Sequence, residues 1–172
     1  MTNGPFLSVA LTPAGGGAAA IPGDEISVPG GRVSLHVQVQ CPNWIDVDRV
    51  YVLLNGRVDD SLAFTRYQQP KMFSKGAEPV KFDRTIDIAL SGDTHLIVVA
   101  AHKKHLLDPI MGPLWGKEAP VAIANPIFVD VDGGGFKANG DTLGRPLPVK
   151  EGRSVPPPAD PNAISEAPAP QR

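Results

Sequence analysis

The segment from Arg32 to Cys41, RVSLHVQVQC, alternates between polar and apolar residues without an error. Successive side chains of a β-strand point to opposite faces of the sheet, so this pattern predicts a strand with one apolar and one polar face. Such half-buried strands are typical of antiparallel sheets that cover a core on one side and meet water on the other.

Further alternating or apolar runs continue the pattern along the chain. They cover Phe6–Leu11, Arg49–Leu54, Leu62–Tyr67, Val80–Leu90, His95–Ala101 and Val121–Asp132. Asn55-Gly56 predicts a tight hairpin, and Pro126 predicts an edge position or a bulge because proline cannot donate a ladder hydrogen bond. We find no amphipathic helix pattern. The sequence therefore predicts an all-β fold, an immunoglobulin-like antiparallel β-sandwich of about seven or eight strands.

The length of 172 residues suits one domain with tails. We expect the sandwich to span residues 1–149, with a flexible loop over residues 12–29 around a stretch of glycine and alanine. Residues 150–172 are rich in proline and poor in apolar side chains that could be buried, so we expect a disordered tail there. Cys41, the only cysteine, lies on the apolar side of its strand and should be buried, and Trp44 should close one end of the core.

Charge and hydropathy exclude several partners. The formal net charge is −2 and the isoelectric point is about 6.0, which gives no electrostatic basis for binding nucleic acid. No apolar run approaches the roughly 20 residues of a membrane helix, so we expect no membrane partner. The N-terminal residues lack the basic start of a signal peptide. The compartment stays undetermined, and an extracytoplasmic setting for a parent protein is open.

The stretch from Asn125 to Leu147 holds the pattern with the clearest chemical meaning. A calcium loop places oxygen ligands at its first, third, fifth, seventh and twelfth positions and glycine at its sixth. Asp130, Asp132 and Asp141 fall at the first, third and twelfth positions, and Phe136 would offer its carbonyl at the seventh. Gly134 at the fifth position has no side-chain oxygen. A calcium site and a plain glycine-rich turn with solvated aspartates both fit, and the sequence leaves both open.

Other candidate chemistry is weaker. His95, His102 and His105 invite a zinc site, but two lysines lie between the last two and a polar strand end explains them equally well. No Gly-x-Ser-x-Gly motif is present, and Cys41 has no histidine near it in sequence, so nucleophilic catalysis is not indicated.

From Cys41 onward the chain resembles a known family. The segments CPNWIDVDRVYVLLNGR, VKFDRTIDIAL, THLIVVAAH, MGPLWGK and AIANPIFVDVDGGGFKANGDTLG carry the resemblance by their order and spacing. They are similar to the C-terminal β-domain of bacterial PHP-type metallohydrolases of the CehA/McbA kind, where PHP stands for polymerase and histidinol phosphatase. The resemblance covers roughly residues 6–149.

The resemblance implies a non-catalytic accessory domain. In that family the metal-dependent, phosphoesterase-like centre lies in the upstream PHP domain and opens with a His-x-His pair, which this chain lacks. No catalytic residue carries over, and the implied partner is a catalytic PHP domain in cis or in trans. The alternative is a free-standing module that binds carbohydrate or protein through Trp44, Trp115 or the loop of residues 103–120.

Overall fold

The computed structural model describes residues 1–74, 76–107 and 111–144. The tail expected at residues 150–172 lies outside this range. Within it, nine strands form two sheets. The strands are β1 (Phe6–Pro13), β2 (Glu25–Ser27), β3 (Arg32–Gln40), β4 (Arg49–Leu54), β5 (Arg57–Thr65), β6 (Val80–Ala89), β7 (Thr94–Ala101), β8 (Val121–Ile123) and β9 (Ile127–Asp130). A 3-10 turn, Pro70–Met72, and one short helix, α1 (Gly112–Trp115), accompany them.

The smaller sheet has the strand order β1-β3-β6, and the larger sheet has the order β2-β9-β7-β4-β5 with β8 paired to β7. All pairings are antiparallel except that of β2 with β9. The predicted all-β sandwich is confirmed, and its two sheets share one buried cluster of apolar side chains.

The alternation in β3 places one row of apolar side chains in the core. Val33, Leu35, Val37 and Val39 are each at most 1% exposed, whereas the side chains between them meet solvent. Cys41 is 5% exposed and its thiol donates to the Ile45 carbonyl at 3.2 Å, so its predicted burial is confirmed. Burial raises the pKa of this thiol to about 11.

The Asn55-Gly56 hairpin also forms as predicted. Both residues have positive φ, 51° and 78°, as a two-residue type I′ turn requires. The turn joins β4 to β5, and β5 runs on without a break through the run expected to begin at Leu62.

Three predictions need correction. The run from Val121 to Asp132 is split into β8 and β9, because Pro126 lies where a single strand would have to donate. The loop expected over residues 12–29 contains β2, and Ala20 bridges Leu11. Trp44 does not fill the core: it is 49% exposed, because the turn at Pro42 directs Ile45, 3% exposed, inward instead.

The N-terminal residues connect the two sheets. Thr2 bridges Ala122 beside β8, and the Asn3 N–H donates to the Val121 carbonyl at 3.1 Å. A few residues later the chain enters β1 of the smaller sheet. Residue 1 therefore lies along the edge of the larger sheet.

Candidate functional site

The loop after β9 brings three carboxylates together. Asp130 ends β9, Asp132 follows it, and Asp93 comes from the turn between β6 and β7. One oxygen from each of these residues lies within 4.8 Å of the others. Gly133 and Gly135 both have φ of 82°, which lets the chain curl round the carboxylates as the glycine triplet predicts.

Backbone N–H groups hold Asp130 in place. Its two oxygens accept from Gly133 at 2.7 Å and from Gly135 at 3.2 Å, and the residue is only 3% exposed. Burial acts to raise the pKa of this carboxyl, but hydrogen bonds from the Gly133 N–H, the Ser27 side chain and the Gly135 N–H together outweigh it and hold the pKa below its usual range.

The other two carboxylates are also hydrogen-bonded. Asp93 accepts the Val131 and Lys137 N–H groups at 2.9 and 2.8 Å, and Asp132 accepts the Gly134 N–H at 2.7 Å. The Lys137 ammonium lies 3.6 Å from Asp132. An ionised carboxylate has about four acceptor positions, so these donors leave capacity for a cation. An all-oxygen donor set suits a hard ion such as calcium.

Two of the four residues predicted as ligands lie elsewhere in the loop. Asp141 forms a two-pronged ion pair with Arg57 at 2.6 and 2.9 Å and does not belong to the cluster. Phe136 donates its N–H to Glu25 at 2.9 Å, and its ring packs edge-on against Phe128 with centroids 5.0 Å apart. The structure therefore brings Asp130 and Asp132 together with Asp93, while Asp141 pairs with Arg57.

Asp93 is the member that the sequence template misses. It lies in a Ser-Gly-Asp turn far from Asp130 in the chain. Pairing of β7 with β9 places Thr94 opposite Val129, which brings Asp93 beside the end of β9. Asp93 can be predicted as a member of the cluster only from the order of the strands in the sheet, because the spacing of residues within one loop does not include it.

The three histidines do not form a site together. His102 Nδ1 accepts the N–H groups of Lys104 and His105, and His105 Nε2 bonds the Trp44 carbonyl at 2.8 Å. His95 lies near the opposite end of β7, with its ring beside Phe128 and Phe136. The ring nitrogens of His102 and His105 therefore bond backbone groups of the surrounding loops, as expected of a polar strand end.

The outer faces of the two sheets differ sharply in polarity. On the smaller sheet, Asp83 accepts from Gln38 at 2.7 Å and bonds His36 at 2.8 Å, and Ser34 donates to Asp87 at 2.5 Å. This is the hydrogen-bonded, solvated face expected of an antiparallel sheet.

The larger sheet carries apolar side chains on its outer face. Register pairs Tyr51 with Val99 and Leu53 with Ile97, while Ile123 lies opposite Val99. All five alternate with fully buried residues and are partly or well exposed. We call these residues, together with the neighbouring Val58 and Phe128, the apolar face.

No family model, curated protein or solved structure matches this chain. No helix within the described part of the chain is long and apolar enough to span a membrane.

Proposed function

We propose that this chain is a non-catalytic accessory β-sandwich domain that docks on the catalytic domain of a PHP-type metal-dependent hydrolase. The observation that carries the proposal is the apolar face. The outer face of the larger sheet carries this apolar band between the polar side chains of Arg49 and His95, and large exposed apolar patches mark interaction surfaces. The sequence resemblance supplies the identity of the partner.

The position of the apolar face agrees with this role. Ile123, at its edge, exchanges backbone hydrogen bonds with Met1 at 2.8 Å, so residue 1 extends the edge of the larger sheet next to the face. The absence of a His-x-His pair from the sequence supports a non-catalytic role.

Binding in trans tests the proposal. A CehA/McbA-like PHP catalytic domain, expressed without its own β-domain, is mixed with the chain, and the dissociation constant is measured by sedimentation. We expect Ile123→Glu to weaken binding about 30-fold or more, since loss of a buried apolar contact, with a charge in its place, costs about 2 kcal/mol at an interface. Thr85→Glu, on the polar face of the smaller sheet, is the matched control and should bind as the unaltered chain does. Equal binding by all three proteins, or none by the unaltered chain, would contradict docking through this face.

We also propose that the loop binds a structural calcium ion through Asp93, Asp130 and Asp132. Binding to the folded state alone adds about 2.7 kcal/mol when free calcium is about 100 times the dissociation constant, so calcium should raise the melting temperature over that in chelator. Asp132→Asn should abolish the rise, because it removes a charge while its amide oxygen can still accept the Gly134 N–H. Asp141→Asn is the control: it should keep the calcium response, because Asp141 pairs with Arg57. A melting temperature unaffected by millimolar calcium would contradict calcium binding and would mean that the loop is a glycine-rich turn with solvated aspartates.

A second candidate function is carbohydrate binding through exposed tryptophans. Trp115 is 60% exposed and Trp44 is 49% exposed, and flat aromatic surfaces of this kind are binding anchors. A glycan screen separates the two candidates. Sugar binding lost in Trp115→Ala but kept in Ile123→Glu would favour the free-standing module.

A further inference from the structure

Two histidines in the turn that follows β7 have opposite hydrogen-bonding roles. His102 Nδ1 accepts the N–H groups of Lys104 and His105 at 3.0 and 2.8 Å. His105 Nε2 donates to the Trp44 carbonyl at 2.8 Å, because a carbonyl oxygen can only accept. A protonated imidazole has N–H donors at both nitrogens and no acceptor. Protonation therefore preserves the contact made by His105 and removes both of those made by His102.

The turn of residues 102–105 connects the end of β7 to the segment that precedes β4. The Lys103 N–H donates to Asp48 at 3.1 Å, and His105 bonds the Trp44 carbonyl. The two N–H groups that His102 accepts hold the backbone of the turn in the shape that makes these contacts possible. The His102 ring thus keeps the turn in place against residues 44–48.

Two carboxylates face the His102 ring, and each is already paired with an arginine. Nε2 lies 3.8 Å from Asp46, and Nδ1 lies 3.9 Å from Asp48. Asp46 accepts from Arg66 at 2.5 and 2.7 Å, and Asp48 accepts from Arg49 at 2.7 Å. Burial acts to raise the pKa of both carboxyls, but the paired arginines and further hydrogen bonds outweigh it, so both stay ionised where histidine titrates.

The surroundings of His102 disfavour its charged form. The ring is only 16% exposed, and burial lowers its pKa by more than the two carboxylates raise it. Positive charge on His105 and Arg66 also opposes protonation. The side chains of Lys103 and Lys104 are exposed and add two more positive charges to the turn. A proton on His102 is therefore better accommodated when the ring leaves this position for water.

We propose that His102 is an acid-sensitive switch: a proton taken from solvent onto Nδ1 releases the Lys104 and His105 N–H groups, and the turn of residues 102–105 separates from Trp44. No covalent bond other than this N–H bond forms or breaks. The switch goes beyond the proposed function and does not depend on it. Any surface that includes Trp44 would have its neutral-pH arrangement only above the pH of the transition.

Amide hydrogen exchange of the whole chain, followed by NMR above and below pH 6.5, tests the switch. We expect the protection factors of the Lys104 and His105 amides to fall by up to about tenfold per pH unit below 6.5, the limit for an opening that takes up one proton. They should also stay well below the protection factor of Val37, in the central strand of the smaller sheet. Equal protection factors at Val37 and in the turn would mean that the turn opens only when the whole protein unfolds, which would overturn the inference.

Substitutions at the two histidines separate their roles. His102→Asn places an amide oxygen near the position of Nδ1, and this oxygen accepts at every pH, so protection should be retained below pH 6.5. His102→Ala removes the acceptor and should leave both amides weakly protected at all pH values. His105→Gln keeps a donor for the Trp44 carbonyl and should keep the fall in protection. A fall that persists in His102→Asn would overturn the inference, because another group would then cause it.

The fluorescence anisotropy of Trp44 provides a second measurement. Trp115→Phe leaves Trp44 as the single tryptophan. We expect its anisotropy to fall below pH 6.5 as the turn separates from it, and we expect His102→Asn in the same background to abolish the fall. Protection factors in the turn that are the same above and below pH 6.5 would overturn the switch. An anisotropy that does not change with pH would overturn the release of Trp44.

Discussion

His102 is held neutral by the backbone around it. Its Nδ1 accepts the Lys104 and His105 N–H groups at 3.0 and 2.8 Å, so the proton resides on Nε2, which lies 3.8 Å from Asp46. Protonation of Nδ1 would remove both acceptor contacts. Burial lowers the pKa of His102 below 6.5, and it outweighs the opposing effect of Asp48 and Asp46.

The lowered pKa of His102 determines how its contribution to stability changes with pH. Because the unfolded chain takes up a proton near pH 6.5 and the folded chain only at lower pH, the contribution of His102 is present above pH 6.5. It is lost as the pH falls through the folded-state pKa. We expect urea midpoints to fall as the pH drops below 6.5, and His102→Gln to flatten this dependence. A slope unchanged by His102→Gln would show that another group causes it.

At the scale of the element, two adjacent glycines before β3 serve different needs. Gly30 and Gly31 have φ of 84° and 65°, so both occupy the left-handed region. A Cβ on Gly31 would lie 2.1 Å from the Leu90 carbonyl oxygen, whereas one on Gly30 would meet nothing within 4 Å. The Gly31 carbonyl also accepts the Leu90 N–H at 2.8 Å. The close approach of these two backbone segments therefore holds the start of β3 against the end of β6.

Alanine at each position separates strain from steric conflict. Gly30→Ala should lower the free energy of unfolding by about 1–2 kcal/mol, the cost of the left-handed region for a residue with a side chain. Gly31→Ala should cost clearly more, because the same strain adds to a collision with fixed backbone. Chemical denaturation measures the free energy of unfolding of both variants. Equal losses of this free energy would mean that the backbone at the β3–β6 junction shifts at little cost to admit the added methyl group.

The elements that the sequence predicts are those whose determinants are local. Alternation along β3 and the Asn55-Gly56 turn each lie within ten residues, and both appear as expected. The strand β2 is only three residues long, and its position is set by parallel pairing with β9 more than 100 residues away. Local sequence does not predict the place of Asp93 either, because that place depends on the pairing of β7 with β9. Two of the three members of the acidic cluster, Asp130 and Asp132, can be predicted from spacing; the third depends on strand order.

At the scale of the whole molecule, one core serves both sheets. Leu35 of the smaller sheet and Val98 of the larger are 0% and 1% exposed within the same buried cluster. Leu35→Ala should cost about 2–5 kcal/mol through lost contacts and the cavity left behind. Because a shared core makes unfolding cooperative, hydrogen exchange should accelerate at Val98 as well as at Val37. Gln38→Ala, on the polar face, should leave both unchanged. Loss of protection in the smaller sheet alone would reveal two independently unfolding halves.

The contrast between the two outer faces has a consequence for how this sequence can change over time. On the smaller sheet, positions such as Ser34, His36 and Thr85 meet water and one another, so many polar residues would serve equally well and substitutions there should accumulate freely. On the larger sheet, Tyr51, Ile97 and Val99 are the same distance from the core yet carry the apolar face. If that face is covered in the working protein, its positions should accept only other apolar residues. A library of random variants selected for partner binding would then keep fewer substitutions on the outer face of the larger sheet than on that of the smaller sheet.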